Sequence, residues 1–302
     1  MKLGITGGTG FVGRATIAKA LAAGHGVRAL TRRPQSAQNG VEWIAGSLDN
    51  LASLADLCAG TDAIIHIAGV VNAPDKAGFT AGNITGTQVM IAAAQVVGVK
   101  RFIHVSSIAA TKPDCSDYCW SKAQGEGAVM ASSLDWTVVR PPGVYGPDDT
   151  EMFDLYRLAQ RGIALVPGQG RIALVHVDDL ARLLVMCAEA PETIGQIYEP
   201  DDGRDDWTHT GYVRAIGLAS GKTVRVLALP RAALMLGADL DRLMRGADAK
   251  LTPDRARYLA QPDWRVDPAK RPPATLWQPE IDTIQGIAQT RAAYIAKGWL
   301  KP

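Results

Sequence analysis

The stretch KLGITGGTGFVG, residues 2–13, decides the fold of this 302-residue chain. Leu3–Thr6 reads as a short apolar strand that runs without a linker into Gly7, Gly10 and Gly13. Glycine at these three places permits a tight turn, a close backbone approach to a pyrophosphate, and hard packing of the next helix on the sheet. That helix, expected over Phe11–Ala23, aims its unpaired N–H groups at an anion. A glycine triplet alone is an ordinary turn. Set between a strand and a helix, it has the context that a dinucleotide site requires.

Outward from this motif the chain alternates. Strands are expected at Val27–Thr31, Val41–Ile44, Asp62–Ala68, Arg101–Ser106 and Thr137–Val139, with helices near Leu51–Cys58, Asn83–Val97 and Tyr118–Ala131. Asp62–Ala68 is a near-continuous apolar run, suited to a central parallel strand. The rhythm predicts an α/β fold, a doubly wound parallel sheet of the Rossmann type with helices on both faces. After Pro147 the rhythm loosens. Helices are expected at Glu151–Arg161, Asp179–Ala190 with Asp179 as N-cap, Trp207–Ala219, Arg231–Arg245, Pro253–Leu259 and Thr283–Lys297, with strands at Ala173–Val177 and Thr223–Leu227. The chain divides into a dinucleotide-binding part, residues 1–147 with a return segment at 172–199, and a smaller, mainly substrate-binding region at 148–302. The Pro-rich stretch Pro262–Pro279 reads as an ordered surface loop.

Composition narrows the class. The chain is 47% hydrophobic and 21% charged, with a net charge of +2, which gives no nucleic-acid footprint and no basic membrane patch. No apolar run is long enough to span a bilayer. A strand starting at residue 2 leaves no room for a leader, and four cysteines without metal-ligand spacing suit reduced thiols, so a cytoplasmic protein without a metal is expected.

Two constellations carry chemistry. Thr31-Arg32-Arg33 ends the second strand, where a carboxylate would accept the ribose 2′-hydroxyl of NAD; two guanidiniums there instead suit the 2′-phosphate of NADP. NADP is the expected cofactor, with NAD left open. Tyr118 and Lys122 lie four apart and so on one face of their helix. A neighbouring ammonium is expected to draw the phenol's pKa down from near 10 and make Tyr118 a general acid/base. Ser107, at the end of the fifth strand, is placed to donate a hydrogen bond to a substrate oxygen.

Taken in order, TGGTGFVG at 6–13, IIHIAG at 64–69, NITGT at 83–87, HVSS at 104–107, YCWSK at 118–122, RPPGVYGP at 140–147 and VHVDDLA at 175–181 resemble the extended branch of the short-chain dehydrogenase/reductases, the epimerase/dehydratase-like branch. Motif by motif the resemblance covers residues 1–200. It implies Ser107, Tyr118 and Lys122 as the catalytic set, with Tyr118 and Lys122 also touching the cofactor. It implies backbone contacts to the pyrophosphate from Phe11 and Val12 beside Gly7, Gly10 and Gly13, and Arg32 or Arg33 at the 2′-phosphate. Ala68 and Gly69 would line the cofactor, Asn83 would support it, and Pro142 and Gly143 would approach the nicotinamide. Where the family often has an aspartate at the adenine, this chain has Gly46-Ser47-Leu48, leaving Ser47 and Leu48 for that contact. The resemblance also implies a homodimer through the helices near 83–97 and 118–131.

The reaction is then hydride transfer between nicotinamide and the carbonyl or alcohol of a small molecule. A nucleotide-sugar epimerase or dehydratase often carries Arg six residues before the first Asp of VDD; here that position is Ile172, and Arg171 is one off. A one-residue shift on a strand reverses the face, and the apolar surroundings favour an apolar substrate. A non-catalytic NAD(P)-binding sensor is the other alternative, opposed by the retained Ser107, Tyr118 and Lys122. Cys115 and Cys119 read as packing beside Tyr118, Gly217–Thr223 as a helix end and turn, and His66, His104 and His176 as buried, hydrogen-bonded histidines.

Overall fold

The computed structural model describes residues 1–168, 170–246, 249 and 251–302. Strands β1 (Lys2–Thr6), β2 (Gly26–Thr31), β3 (Val41–Ala45), β4 (Ala63–His66), β5 (Arg101–Val105) and β6 (Asp135–Val139) form the main sheet, and it is completed by a strand from much later, Gln196–Tyr198. All pair in parallel, in the order β3-β2-β1-β4-β5-β6 and then Gln196–Tyr198. Because all strands run one way, Thr6, Thr31, His66 and Val105 end on one edge of the sheet. The order reverses between β1 and β4, and ligands of such sheets bind in the crevice outside that reversal.

Helices α1 (Phe11–Ala22), α2 (Leu51–Cys58), α3 (Lys76–Phe79), α4 (Gly86–Val97), α5 (Asp117–Met130), α6 (Phe153–Ala159) and α7 (Val177–Glu189) follow in chain order. Ile17 and Ala20 of α1 join Leu180, Leu183 and Leu184 of α7 over one face of the sheet. Leu54 and Leu57 of α2, Met90, Ala93 and Ala94 of α4 and Val129 of α5 cover the other. The sheet is therefore buried on both sides, which is why β1 and β4 carry apolar residues without alternation. Asn50 caps α2 by accepting from the Ser53 N–H, Ser116 caps α5 by accepting from the Cys119 N–H, and α4 stops at Gly98, whose φ of +86° is left-handed.

Beyond α5 the chain adds β7 (Gly143–Tyr145), β8 (Ile163–Pro167), β9 (Arg171–Ile172), β10 (Leu174–His176), β11 (the Gln196–Tyr198 strand), β12 (Arg225–Leu229) and β13 (Asp263–Trp264). They pair as β7 with β10, β8 with β12 and β9 with β13. Helices α8 (His209–Ala219), α9 (Arg231–Arg245), α10 (Pro253–Leu259) and α11 (Thr283–Ala296) complete the chain. A second core of Tyr145, Tyr156, Tyr212, Ile216 and Tyr294 holds this part together.

Four expectations need correction. The fourth strand is shorter than Asp62–Ala68, because past His66 the backbone leaves the ladder and the Ala68 N–H donates to Thr6 Oγ1 at 3.2 Å. The helix expected from Asn83 begins instead with a π-helical turn over Thr80–Thr85, and α4 proper starts at Gly86. The strand expected at Ala173–Val177 is β10, shortened to Leu174–His176 because α7 already begins at Val177. Asp179 is not the N-cap of α7. His176 Nδ1 accepts from the Asp178 N–H, while the buried Asp179 carboxylate accepts from the N–H groups of Glu280 and Ile281 and ties down the far end of the chain. The stretch Pro262–Pro279 is ordered as expected, with Trp264, Val266 and Trp277 buried and Trp277 Nε1 donating to Asp179 O at 3.0 Å.

Candidate active site

The glycine turn is built so that no side chain fits. A Cβ on Gly13 would lie 2.0 Å from the Gly7 carbonyl oxygen, and one on Gly7, whose φ is +73°, would lie 2.8 Å from the Ala68 nitrogen. Both obstacles are backbone, so neither can yield. Gly10 caps α1 without a side chain, which leaves the first-turn N–H groups of Phe11, Val12 and Gly13 directed outward without a capping partner. This is the geometry of an anion cradle. It fits the pyrophosphate of a dinucleotide.

At the end of β2, Arg32 and Arg33 line a cavity of about 310 Å³ together with Thr9, Thr31 and Gln35. The Thr31 hydroxyl donates to the Arg33 carbonyl at 2.6 Å and orders the turn. Both arginines are exposed, and among the described residues no ion pair involves either. Two unpaired guanidiniums in a small polar cavity suit a phosphate. Next to this turn, Gly46 N–H donates to the Thr31 carbonyl, and the Ser47 hydroxyl bonds the Asp49 carboxylate. The carboxylate missing from position 47 thus stands two residues later; sequence reading passed over it because Asp49 breaks the motif spacing. Leu48 packs on α4, where a Cβ on Gly86 would meet Leu48 Cδ1 at 3.0 Å.

The other end of the crevice gathers most of the remaining expected residues. Asn83, buried in the π-helical turn, accepts from the Val70 N–H at 2.7 Å and donates to the Val70 carbonyl and to Ser121 Oγ, both at 2.9 Å. It fixes the loop carrying Ala68 and Gly69 against α5. A Cβ on Gly69 would lie 2.9 Å from Asn83 Oδ1 and 3.8 Å from Lys122 Nζ. Beneath them runs a buried chain: Thr6 Oγ1 bonds His66 Nδ1 at 2.8 Å, and His66 Nε2 bonds Thr87 Oγ1 at 3.1 Å. The Thr87 hydroxyl donates to the Asn83 carbonyl at 2.9 Å. Burial and the Lys122 charge push the His66 pKa down to about 3, so it is a neutral strut. His104 stacks on it at 5.5 Å, but both of its ring nitrogens are without a partner, contrary to the expectation of a hydrogen-bonded histidine.

Lys122 is buried and donates to the Val105 carbonyl at 3.0 Å; burial lowers its pKa to about 8, opposed by the Glu126 carboxylate. The Ser107 hydroxyl is the polar side chain that acts on the Tyr118 phenol. Its pKa is not drawn down as expected. Burial raises it to about 12, the Ser107 hydroxyl pulling the other way. The ammonium exerts no comparable influence because it is turned to Val105. The Tyr118 ring is walled by Phe79, 6.0 Å away, and by Tyr258, edge-on at 5.5 Å. A phenol in this place can pass a proton to an oxygen brought beside these apolar rings. Pro142 precedes β7 and Gly143 begins it close by: Ile108 N–H donates to the Pro141 carbonyl at 3.0 Å and Gly143 N–H to the Ala173 carbonyl at 3.1 Å. Arg32, Arg33, Ser47 and Leu48 belong to the opposite end.

Sequence reasoning missed what stands behind and beside this group. Arg140 bridges two buried carboxylates, Glu126 and Glu199, and Ser106 Oγ donates to Glu126 at 2.8 Å. Asp254 of α10 accepts from the N–H groups of Asp117 and Tyr118, at 2.6 and 3.3 Å, and so holds the first turn of α5. Nothing in the local pattern flags these residues, since each partner is distant along the chain. Cys115 and Cys119 are free thiols against Tyr118 and Tyr258, as packing requires. The neighbouring Cys119 thiol lowers the Cys115 pKa to about 7, and Cys115 together with burial raises that of Cys119. Gly217–Thr223 is a helix end and turn, with Gly221 at φ +63°. Among the described residues no group of acidic, histidine or cysteine side chains is arranged to hold a metal.

A parallel sheet with this strand order, an anion cradle at its first turn and a Tyr–Lys pair over its crevice define a nicotinamide-dinucleotide-binding enzyme fold. Residues 7–191 match the family model described as NAD(P)H-binding. The chain is 34% identical to a ceramide reductase of Caulobacter vibrioides (strain NA1000 / CB15N), covering 98% of this chain and 95% of that protein. It is 26% identical to a 2-alkyl-3-oxoalkanoate reductase of Stenotrophomonas maltophilia (strain K279a), covering 98% and 100%. In structure it resembles a dTDP-glucose 4,6-dehydratase of Streptomyces venezuelae with NAD bound, at a TM-score of 0.77 and 22% identity over 100% and 99% of the two chains. The chain belongs to the extended, epimerase/dehydratase-type short-chain dehydrogenase/reductase family, whose members use NAD(P) in reductase and epimerase chemistry.

Proposed function

We propose that this protein is an NADPH-dependent ketoreductase acting on a carbonyl that carries long alkyl chains. The observation that carries the reading is Tyr118 next to the Ser107 hydroxyl and on one helix with buried Lys122, its ring set between Phe79 and Tyr258. A bound nicotinamide supplies or accepts the hydride. Ser107 holds the substrate oxygen, Tyr118 gives that oxygen its proton as the carbonyl becomes an alcohol, and Lys122 holds the ribose. The cradle of Gly7, Gly10, Phe11, Val12 and Gly13 holds the pyrophosphate. Arg32 and Arg33 hold the 2′-phosphate, which is the reason to favour NADPH over NADH. Ala68, Gly69 and Asn83 form the floor, with Pro142 and Gly143 at the nicotinamide end and Ser47 and Leu48 near the adenine.

The alkyl chains follow from the apolar walls and from the kinship with reductases of ceramide and of 2-alkyl-3-oxoalkanoate. The region 148–302 supplies the substrate side, since Tyr258 comes from it. A sugar-nucleotide epimerase is disfavoured: Ile172 is buried where a diphosphate-gripping arginine would stand, and Arg171 is turned to solvent. A homodimer through α4 and α5 is part of the same proposal, and exposed Val96 and Met130 on those helices support it.

The test is NADPH oxidation with a panel of long-chain 3-oxo lipids, beside product analysis with UDP- and dTDP-sugars, because epimerisation and dehydration return the hydride and consume no cofactor. Turnover of the ketones is expected. Tyr118→Phe should lower kcat by about 100-fold or more while cofactor Kd stays within about threefold, the range of an unaltered site. Turnover of the sugars alone would replace this reading with the epimerase.

A further inference from the structure

Helix α9 has two apolar faces, and the fold uses only one. Leu234 and Ala238 pack on Ala256 of α10. On the opposite side Leu236, Leu240, Leu243 and Met244, spaced i, i+4, i+7 and i+8, are 62%, 50%, 83% and 75% exposed. That spacing is one continuous helical stripe. Four large apolar side chains in one exposed patch signify a contact surface. The apolar exposure extends upstream: Leu227 of β12 and its cross-strand partner Leu165 of β8 are both exposed, and β12 leads through Pro230 directly into α9.

Charge points to what the stripe meets. Between residues 222 and 245 lie Lys222, Arg225, Arg231, Arg242 and Arg245 against Asp239 and Asp241, so five cations less two carboxylates gives this segment +3, more than the +2 of the whole chain. The near-neutral total conceals a local basic segment. An amphipathic helix lies flat in a lipid interface with its apolar stripe sunk roughly 5–10 Å; Arg231 and Arg242 stand on the side of α9 away from the stripe and Arg245 pairs with Asp241 at 3.3 Å, so the exposed cations offered to anionic headgroups are Lys222, Arg225, Arg231 and Arg242. A second protein copy fits less well: one helical stripe falls short of the roughly 800 Å² per partner of a stable dimer.

The patch is also joined to the candidate site. Helix α10, which packs on the inner face of α9, carries Asp254 at the start of α5 and Tyr258 against the Tyr118 ring. We propose that α9 docks this protein on an anionic membrane surface and sets the α10 side of the cleft toward the bilayer, from which a long-chain ketone enters. The docking stands on the surface alone; the entry of a ketone rests on the ketoreductase reading.

The experiment is flotation of the full-length protein with phosphatidylglycerol-containing vesicles and with pure phosphatidylcholine vesicles, beside assays of a vesicle-borne 3-oxo lipid and a short water-soluble ketone. Wild type should float with the anionic vesicles. The double variant Leu240→Asp, Leu243→Asp should lose at least about tenfold in vesicle binding and raise KM for the vesicle-borne lipid similarly, with kcat/KM for the soluble ketone unchanged. Ile284→Asp, at an exposed apolar position on α11, should float like wild type. Failure of the wild type to float, or equal flotation of the double variant, overturns the docking. So does a dimer in sedimentation that the double variant dissolves. Turnover of the soluble ketone without flotation removes the docking and leaves the ketoreductase. Flotation that the double variant abolishes, without turnover of any ketone, removes the ketoreductase and leaves the docking.

Discussion

Replacing Lys122 by methionine should abolish turnover and make the cofactor-free protein more stable. The ammonium is buried, and burial brings its pKa from 10.5 to about 8. At about 1.4 kcal/mol per pKa unit, holding the charged form in the fold costs roughly 3 kcal/mol at pH 7. Methionine fills the stem's volume without the charge. The loss is the hydrogen bond to the Val105 carbonyl, about 1 kcal/mol. The net gain is therefore about 2 kcal/mol, a few degrees in Tm for a chain of this size. The sign depends on pH in one direction only. Below pH 8 both folded and unfolded chains hold the proton, and the cost is present in full. Between pH 8 and 10.5 the unfolded chain binds more protons, so wild-type stability rises with pH and the cost fades. Melting curves of wild type and Lys122→Met without cofactor, at pH 7 and again near pH 10.5, measure the gap. A methionine variant that melts lower at pH 7, or a gap that does not narrow toward pH 10.5, refutes the reasoning.

Two further outcomes follow from the same geometry. Arg32→Ala with Arg33→Ala should raise the Kd for NADPH by about 10- to 100-fold, the worth of one or two charge-assisted bonds, and leave that for NADH nearly unchanged, as titration of cofactor fluorescence would read; an equal loss for both would place the 2′-phosphate elsewhere. Asp149 is buried, and burial raises its pKa to about 7. It favours the fold fully below pH 3.8 and loses that advantage as pH rises through 7, so Asp149→Asn should raise Tm at pH 8 and leave it unchanged near pH 4.

Much of this molecule is written locally. The bounds of α2, α9 and α10 match the sequence reading residue for residue, because each begins at a clear signal: Asn50 before Leu51, Pro230 before Arg231, Thr252 and Pro253 at the third. The glycine turn is equally legible, since only glycine tolerates those backbone contacts. The errors lie where a distant partner decides. Asp179 has the look of an N-cap, yet its carboxylate serves N–H groups about a hundred residues later. The phenol's pKa depends on which way the ammonium turns, and that is set by a carbonyl on β5. Glu126, Arg140 and Glu199 carry no motif, and only the packing of α5, β6 and β11 brings them together.

Helix α5 explains why those distant partners matter. Its first turn is held by Asp254 of α10 and its middle by Arg140 through Glu126, so Tyr118 and Lys122 lie between two anchors from different parts of the chain. A buried carboxylate paired to arginine is expensive to disturb, about 3–5 kcal/mol if one partner is lost, and the middle of the helix is accordingly rigid. The Asp254 contact is two backbone hydrogen bonds at the edge of the cleft, worth about 1.5–3 kcal/mol each at most. Any displacement of α9 and α10 is therefore felt at Tyr118 before it is felt at Lys122. On the ketoreductase proposed above, a surface that moves α10 would tune Tyr118 as proton donor and its aromatic wall while Lys122 as the cofactor's anchor stays fixed, which is the division of labour a reductase needs if its substrate arrives from one side and its cofactor from the other.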